Sequence, residues 1–421
     1  MFKTFRDAFK VPDLRNKLIF TLLMLFVIRL GAAIPIPGIN SETLKSYFEN
    51  SGDLLGLFDA FSGGAFANMT LFAMGIIPYI NASIIMNLLT IAVPALEEMQ
   101  KEGEDGRKKI AKITRYGTVV LAFIQALAIS IGLRTIFNDY NVLSVMVAVS
   151  AMTAGTAFLM WIGERINERG VGNGISLIIF VNIISRLPSG IGSLRSQILI
   201  GKYITVVSML IVFFLMIALV VLIYLGERRI PVQYAKKMQG RKAYGGQTTH
   251  IPLKVNMAGV IPVIFASSLI QFPQTITGFF TTTPPAWIKA VIDFLNYYNS
   301  WAGAVFYFLL IIAFAFFYTA IIFNPYEVAN NMKKNGGFVP GIRPGKPTVD
   351  YLTNILNKIV LIGGTLLAII AISPVILSAF TKVQIGFGGT SLIIVVGVCL
   401  ETIKQIEAQL VMRHYKGFLN S

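Results

Sequence analysis

The chain has 421 residues, 55% of them hydrophobic and only 13% charged, with a net charge of +16. A soluble domain cannot cover that much apolar surface with so few charges, so the composition excludes an ordinary globular enzyme and points to a polytopic helical membrane protein. One cysteine, Cys399, excludes an intrachain disulfide, and two histidines, His250 and His414, are too few for a His-rich metal centre.

The opening MFKTFRDAFK has no apolar h-region, so no cleavable signal is expected. Phe2, Phe5 and Phe9 share one helical face, away from Lys3, Arg6 and Lys10. Residues 1–17 read either as an amphipathic segment on the inner membrane surface or as a basic tail. Apolar runs near the ~20 residues of a bilayer crossing then follow. They lie at 18–36, 70–93, 117–136, 142–163, 174–187, 203–225, 257–273, 302–323, 358–378 and 389–411, which predicts ten spans. Between the first two lies GLFDAFSGGAFANMTLFAMG (56–75), apolar but broken by Asp59, the Gly63-Gly64 pair and Asn68. With the N-terminus inside, 28 of the 36 Lys and Arg residues fall on the inner side and 7 on the outer, Arg29 lying within span one. That bias puts both termini in the cytoplasm.

No catalytic apparatus is visible. HExxH, GxSxG and Cys/His clusters are missing from the sequence. GIRPGKPT (341–348) imitates a phosphate loop, but Pro340 stands where its first glycine belongs and Pro347 follows the lysine. The span interiors are nearly free of Asp, Glu and Lys, which argues against ion-coupled transport. Arg29, towards the outer end of span one, reads as a snorkelling residue or a cap on neighbouring carbonyls.

GIIPYINAS (75–83) and GVIPVIFAS (259–267) agree at six of nine positions. The first copy sits in span two and the second in span seven, which run in opposite directions. Two five-span halves related in this way form an inverted repeat with its working site at the interface between them. Ile80 aligns with Ile264, and Pro78 with Pro262. Both prolines are expected near mid-membrane, where they loosen helices that move. The N-terminal half covers 18–200 and the C-terminal half 201–411, with a short cytoplasmic tail at 412–421. Two long inner loops, 226–256 and 324–358, carry seven and five basic residues and suit an anionic partner such as ribosomal RNA or an acidic protein.

Six stretches together resemble one family. They are AAIPIPGIN (32–40), FSGGAFANMTLFAMGIIPYINASII (61–85), KEGEDGRKKIAKITRYGT (101–118), RGVGNGISLIIF (169–180), THIPLKVNMAGVIPVIFASS (249–268) and FVPGIRPGKPT (338–348). In order and over nearly the whole chain, they are similar to SecY, the channel subunit of the bacterial Sec protein translocase. The resemblance implies an all-α membrane protein with ten helices in two inverted five-helix halves around an hourglass pore. It implies a protein-conducting channel of the bacterial plasma membrane that translocates unfolded secretory polypeptides and releases membrane segments sideways.

By the same resemblance the pore ring comprises Ile76, Ile80, Ile179, Ile264 and Ile394. Stiff apolar side chains dewet when the pore is empty and offer a passing chain no hydrogen bonds. The broken stretch becomes a plug near 53–64, comprising Leu54, Leu55, Leu57, Phe58, Asp59, Phe61, Gly63 and Gly64. Residues 53–62 are expected to form a short helix in the outer funnel, with Asp59 facing water and the two glycines as hinge; Met69 begins span two proper. The lateral gate takes Asn81, Gln125, Ser267, Ser268 and Phe272, as a polar clasp that a signal sequence displaces. Cytoplasmic docking falls to Arg228, Arg229, Lys236, Lys237, Arg241 and Lys242 in the first large loop, and to Lys333, Lys334, Arg343 and Lys346 in the second. The implied partners are SecE and SecG membrane subunits, the SecA motor ATPase, the ribosome, and signal sequences of secretory or membrane-protein precursors. No catalytic residue, cofactor or metal ligand is expected.

Overall fold

The computed structural model describes residues 2–40, 44, 59, 61–234, 237–239, 242–244, 248–277, 285–295, 300–381 and 388–419. A helix coincides with every predicted span. The N-terminal half holds α1 (Phe2–Lys10), α2 (Pro12–Gly31), α3 (Ile77–Ala92), α4 (Pro94–Lys101), α5 (Glu104–Gly132), α6 (Val142–Arg169), α7 (Gly174–Ile184) and α8 (Leu187–Leu199). The C-terminal half holds α9 (Tyr203–Leu225), α10 (Ile261–Thr277), α11 (Ala286–Leu295), α12 (Trp301–Ile322), α13 (Pro325–Lys334), α14 (Lys346–Thr381) and α15 (Gly389–Leu419). Among the described residues seven helices are long and apolar enough to cross a membrane, or eight if α3 and α4, bent by 98° at Pro94, make one span. Of the other predicted spans, α2 carries Asp13, Arg15 and Lys17 in its first turns, and α10 is shorter.

Two boundaries differ from the sequence reading. The second span starts at Ile77 rather than near 70, because residues 63–76 run as successive turns, with Met69 itself at φ +41°. The apolar stretch of span five does not end in an outer loop either; it resumes as α8 after a short break at 185–186.

Packing follows the two halves. α3, α5 and α6 pack together, and α2 and α7 pack on α6. In the other half α10, α12 and α14 pack in series, with α9 and α15 against α14. The halves meet on one side where α10 touches α3 and α5, and on the other where α7 touches α15.

The internal echo has a structural meaning that the sequence reading assigned differently. Gly75 and Gly259 both adopt left-handed backbone, φ +57° and +65°, and a helix begins two residues after each. Pro78 and Pro262 therefore sit in the first turn of α3 and α10. There the missing N–H is not needed and the fixed φ favours helix entry, so neither proline kinks a helix. The repeated motif is a helix-start signal; the proline inside α10 is Pro273.

The two large loops, 226–256 and 324–358, read separately in the sequence, share one sheet. β1 (Glu227–Tyr234) pairs antiparallel with β4 (Thr248–Lys254), Ile230 opposite Ile251. Its far end pairs with β5 (Gly337–Phe338) through Gln233 and Tyr234. Strand alternation turns Ile230 and Val232 inward, onto Leu253, Met332, Val339 and Leu352. The loops are thus a small platform with its own core. Between β1 and β4 the short strands β2 (Lys237–Gln239) and β3 (Lys242–Tyr244) pair with each other.

Candidate functional site

The site begins with how α7 is started. Asn173 is its N-cap, accepting hydrogen bonds from the backbone N–H groups of Ile175 and Ser176 at 3.1 and 3.3 Å. Asn167, near the end of α6, accepts from the N–H of Gly174 at 2.7 Å. GNGIS therefore locks the entry of α7 onto α6 and fixes where Ile179 points.

Ile80 of α3, Ile179 of α7 and Ile264 of α10 line one cavity of ≈ 170 Å³. Ile175, Ile261, Phe265 and Tyr318 extend its apolar wall, while Ser83, Asn167, Asn173 and Ser176 supply polar atoms. All five predicted ring residues are buried in the same hydrophobic core, but Ile76 and Ile394 do not reach this cavity. Three isoleucines from helices of both halves thus meet at one cavity, the aligned Ile80 and Ile264 of the echo among them.

At the interface between α3, α5 and α10 lie the predicted gate residues. Asn81, Gln125, Ser267 and Ser268 are buried and Phe272 is exposed. They do not make the expected hydrogen-bonded clasp. The side-chain amide nitrogens of Asn81 and Gln125, and of Gln271, which sequence reasoning missed, are buried without a hydrogen-bond partner. Ser267 donates to the Ile264 carbonyl of its own helix at 2.9 Å. A cross-half polar contact falls nearer the C-terminal end of α3, where Asn87 donates to the Tyr318 hydroxyl of α12 at 2.9 Å. A buried amide without a partner costs about 1–3 kcal/mol; if this interface is the gate, that cost raises its closed state and eases its parting. Asn81→Leu is accordingly expected to stabilise the closed gate. In a graded series of signal sequences, export should then stop at a higher hydrophobicity than for the wild type; an unchanged or lowered cut-off would refute this.

At the other end of α7 from the isoleucine-lined cavity is the broken stretch. Leu54, Leu55, Leu57 and Phe58 lie outside the described residues; Asp59, Phe61 and Ser62 are helical. The expectation that Asp59 faces water is overturned. It is 1% exposed, its carboxylate pairs with Arg186 at 2.6 Å, and it accepts from the Ala67 N–H at 2.8 Å. Phe61 and Gly63 are held through their carbonyls: Asn182 donates to the first at 2.9 Å and Arg29 to the second at 3.3 Å, while the Ser185 hydroxyl, whose closer acceptor is the Asn182 carbonyl at 2.7 Å, lies 3.2 Å from the second. Arg29 thus caps a carbonyl, one of the two roles foreseen. Gly63, at φ +68°, is pressed so close to α7 that a Cβ would stand 2.8 Å from the Asn182 Cα. The predicted hinge is a docked foot, and Asn182, Ser185 and Arg186 are its sockets. Their signal was present in the sequence: polar residues following the apolar run ISLIIFV, and one arginine to answer one buried acid.

Of the predicted docking residues, Arg228, Arg229, Lys333, Lys334, Arg343 and Lys346 are exposed on the platform. Lys237 and Lys242 begin β2 and β3, whereas Lys236 and Arg241 lie outside the described residues. The tip carrying Arg343 is fixed by the buried Thr348, whose hydroxyl donates to the Arg343 carbonyl at 2.9 Å. That hydroxyl is turned back onto the backbone of its own loop and is not directed at a ligand. No group of three or more metal-binding side chains occurs among the described residues.

Seven or eight helices long enough to cross a membrane, two halves that meet at one isoleucine-lined cavity and a basic platform fit a multi-pass membrane protein of the channel class. The SecY family model matches residues 70–403, and the chain belongs to that family. Over the full length of both chains it is 48% identical to the protein translocase subunit SecY of Halalkalibacterium halodurans and 45% identical to that of Bacillus subtilis. A solved structure of a protein-conducting channel superposes with a TM-score of 0.67 at 17% identity, covering 94% of this chain and 92% of its own. Another, at TM-score 0.66 and 17% identity with the same coverage, is a SecY whose plug domain stabilises the closed state and maintains a membrane seal. Sec61 from a canine ribosome-channel complex of the endoplasmic reticulum matches at TM-score 0.60, 17% identity and again the same coverage.

Proposed function

We propose that this chain is the channel through which a bacterial translocase passes unfolded polypeptides across the plasma membrane, and from which apolar segments leave sideways into lipid. The observation that carries the reading is the meeting of Ile80, Ile179 and Ile264, from helices of both halves, at one cavity. In this reading the three form the pore ring with Ile76 and Ile394 behind them, and residues 53–64 stopper it from outside. α3 and α5 part from α10 as the lateral gate. Both termini are cytoplasmic, by the excess of basic residues on one side.

The chain carries no nucleotide-binding motif, so the driving force comes from outside it: a motor or translating ribosome on the basic platform, or the membrane potential. SecA or a translating ribosome fits there, and SecE and SecG brace the helices in the membrane. Ribosomal contact is supported by the likeness to Sec61 in a ribosome-bound complex. Reconstitution with these partners in proteoliposomes tests the reading: a secretory precursor becomes protected from external protease. A solute transporter would leave the precursor digested.

Arg343→Glu is expected to lower translocation roughly tenfold while leaving the membrane fold intact, because an exposed charge on a pinned turn meets an anionic partner by long-range attraction. The check is precursor import at low and high salt. An unimpaired variant would remove Arg343 from the docking surface.

A further inference from the structure

We propose that Asn167, Asn173, Ser83 and Ser176 form a binding site for the backbone carbonyls of the polypeptide being translocated: a ledge of hydrogen-bond donors on the platform side of Ile80, Ile179 and Ile264. The inference rests on the channel reading above. Its ground is the use made of each polar atom at the cavity. The side-chain oxygen of Asn173 accepts from the N–H groups of Ile175 and Ser176, and that of Asn167 from the N–H of Gly174. The opening N–H groups of α7 are thereby spent, so the donors still on offer belong to side chains and not to the helix end. An asparagine amide carries its NH2 on the opposite side from its oxygen. With both oxygens turned onto the start of α7, both NH2 groups are turned away from it. The described residues supply no acceptor for either NH2, nor for the hydroxyls of Ser83 and Ser176, and all four side chains line the cavity.

Helical spacing sets the ledge beside the isoleucines. Ser176 stands three residues before Ile179 in α7 and Ser83 three residues after Ile80 in α3, so each serine shares a face with its isoleucine one turn away. The same layer is completed by Ile261, one turn before Ile264 in α10, which starts shortly beyond β4 of the platform. The far end of α3 likewise meets α12 close to α13, through Asn87 and Tyr318. The layer therefore faces the platform. A cavity of ≈ 170 Å³ has no room for a helical turn, which is about 10–12 Å wide with its side chains, so a chain passes extended and its carbonyls lack partners of their own. Amide and hydroxyl donors hold a peptide carbonyl whatever side chain it carries, as a passage for many sequences requires. Asn167 and Asn173 are exposed, so each carbonyl replaces a water and is held only weakly. The ledge thus retains a chain between advances without trapping it, a task for which the apolar isoleucines have no donors.

Retention of a half-translocated precursor tests this. In reconstituted channels the precursor is stalled by a folded domain at its trailing end, the driving partner is withdrawn, and loss of protease protection with time gives the rate of back-sliding. Asn173→Asp separates the two uses of the asparagine: the oxygen that starts α7 stays and the NH2 goes. Asn173→Ser does the same without adding charge, since serine is as good an N-cap. Asn173→Asp, Asn173→Ser and the pair Ser83→Ala with Ser176→Ala should each raise back-sliding roughly fivefold or more, the strength of one neutral hydrogen bond. Asn167→Asp combined with Asn173→Asp should exceed about tenfold. For Asn173→Ser the increase should be equal whether the stalled segment is leucine-rich or serine-rich, because both present the same carbonyls. Melting temperatures in detergent should match the wild type, the caps being kept. Should Asn173→Asp fail to assemble, Asn173→Ser decides in its place. A wild-type rate in any of the assembled variants, or an increase confined to one side-chain composition, would overturn the inference. So would faster back-sliding matched by a lower melting temperature, which would assign the asparagines to the start of α7 alone. A precursor that never becomes protected in the wild-type channel would defeat the channel reading itself, whereas protection with unchanged back-sliding would defeat only the ledge.

Discussion

Replacing Ile80, Ile179 and Ile264 together by serine is expected to give an assembled channel that conducts ions at rest, while each single replacement stays nearly sealed. The three side chains are 3%, 0% and 5% exposed and share one small cavity. An apolar constriction excludes water collectively: one hydroxyl cannot hold a continuous water file, but three around the same cavity can. Each replacement also forfeits about 1.5–3 kcal/mol of apolar burial, so lost stability must be separated from lost sealing. Ile178, one residue before Ile179 and 0% exposed, does not line the cavity. Ile178→Ser should lower the thermal stability of the detergent-purified protein as much as any single ring variant and leave conductance at the resting level. Planar-bilayer recordings of the triple variant, the three singles and Ile178→Ser make the comparison. A sealed triple variant, or a leak from Ile178→Ser as large, would mean that the isoleucines are ordinary core.

Helices were legible because their lengths and apolar composition are local properties, and each predicted span has its helix. What sequence reading misplaced depends on distant partners. Asp59 looked like a surface acid because nothing near it in the chain neutralises it; Arg186 does so from the end of α7. The two large loops looked independent, although Gln233 pairs with Phe338 and both loops feed one core. The echo is visible in the sequence, where its prolines read as mid-helix bends. A proline marks a kink or a start according to whether the preceding backbone is already helical, and that turns on Gly75 and Gly259 at positive φ. At the gate the polar residue types were recoverable from the motifs. Their lack of partners was not, since satisfaction is a property of three packed helices rather than of any one. Ile76 and Ile394 show the same limit: buried in the same core as the other three, they differ from them only in facing away from the cavity.

The adjacent glycines of the foot allow the docking contact to be weighed by itself. Gly63 and Gly64 both have left-handed backbone, φ +68° and +88°. An added Cβ at Gly64 meets nothing within 4 Å, whereas at Gly63 it would lie 2.8 Å from the Asn182 Cα and 2.9 Å from the Asn182 carbonyl oxygen. Those neighbours are backbone of α7 and have little room to yield. Gly64→Ala should therefore show only the conformational cost of a non-glycine residue in this region, about 1–3 kcal/mol, with the foot still in place. Gly63→Ala carries the same cost and in addition pushes the foot off α7, breaking the carbonyl contacts to Asn182, Ser185 and Arg29. The expected result is a pair of variants with similar backbone strain but different seals. Gly64→Ala should be slightly destabilised and tight; Gly63→Ala should be ion-leaky and permissive for weak signals. Conductance and export threshold measured side by side settle the matter. Equal leaks from both variants would show that the turn's backbone conformation, and not its seat on α7, keeps the stopper in place.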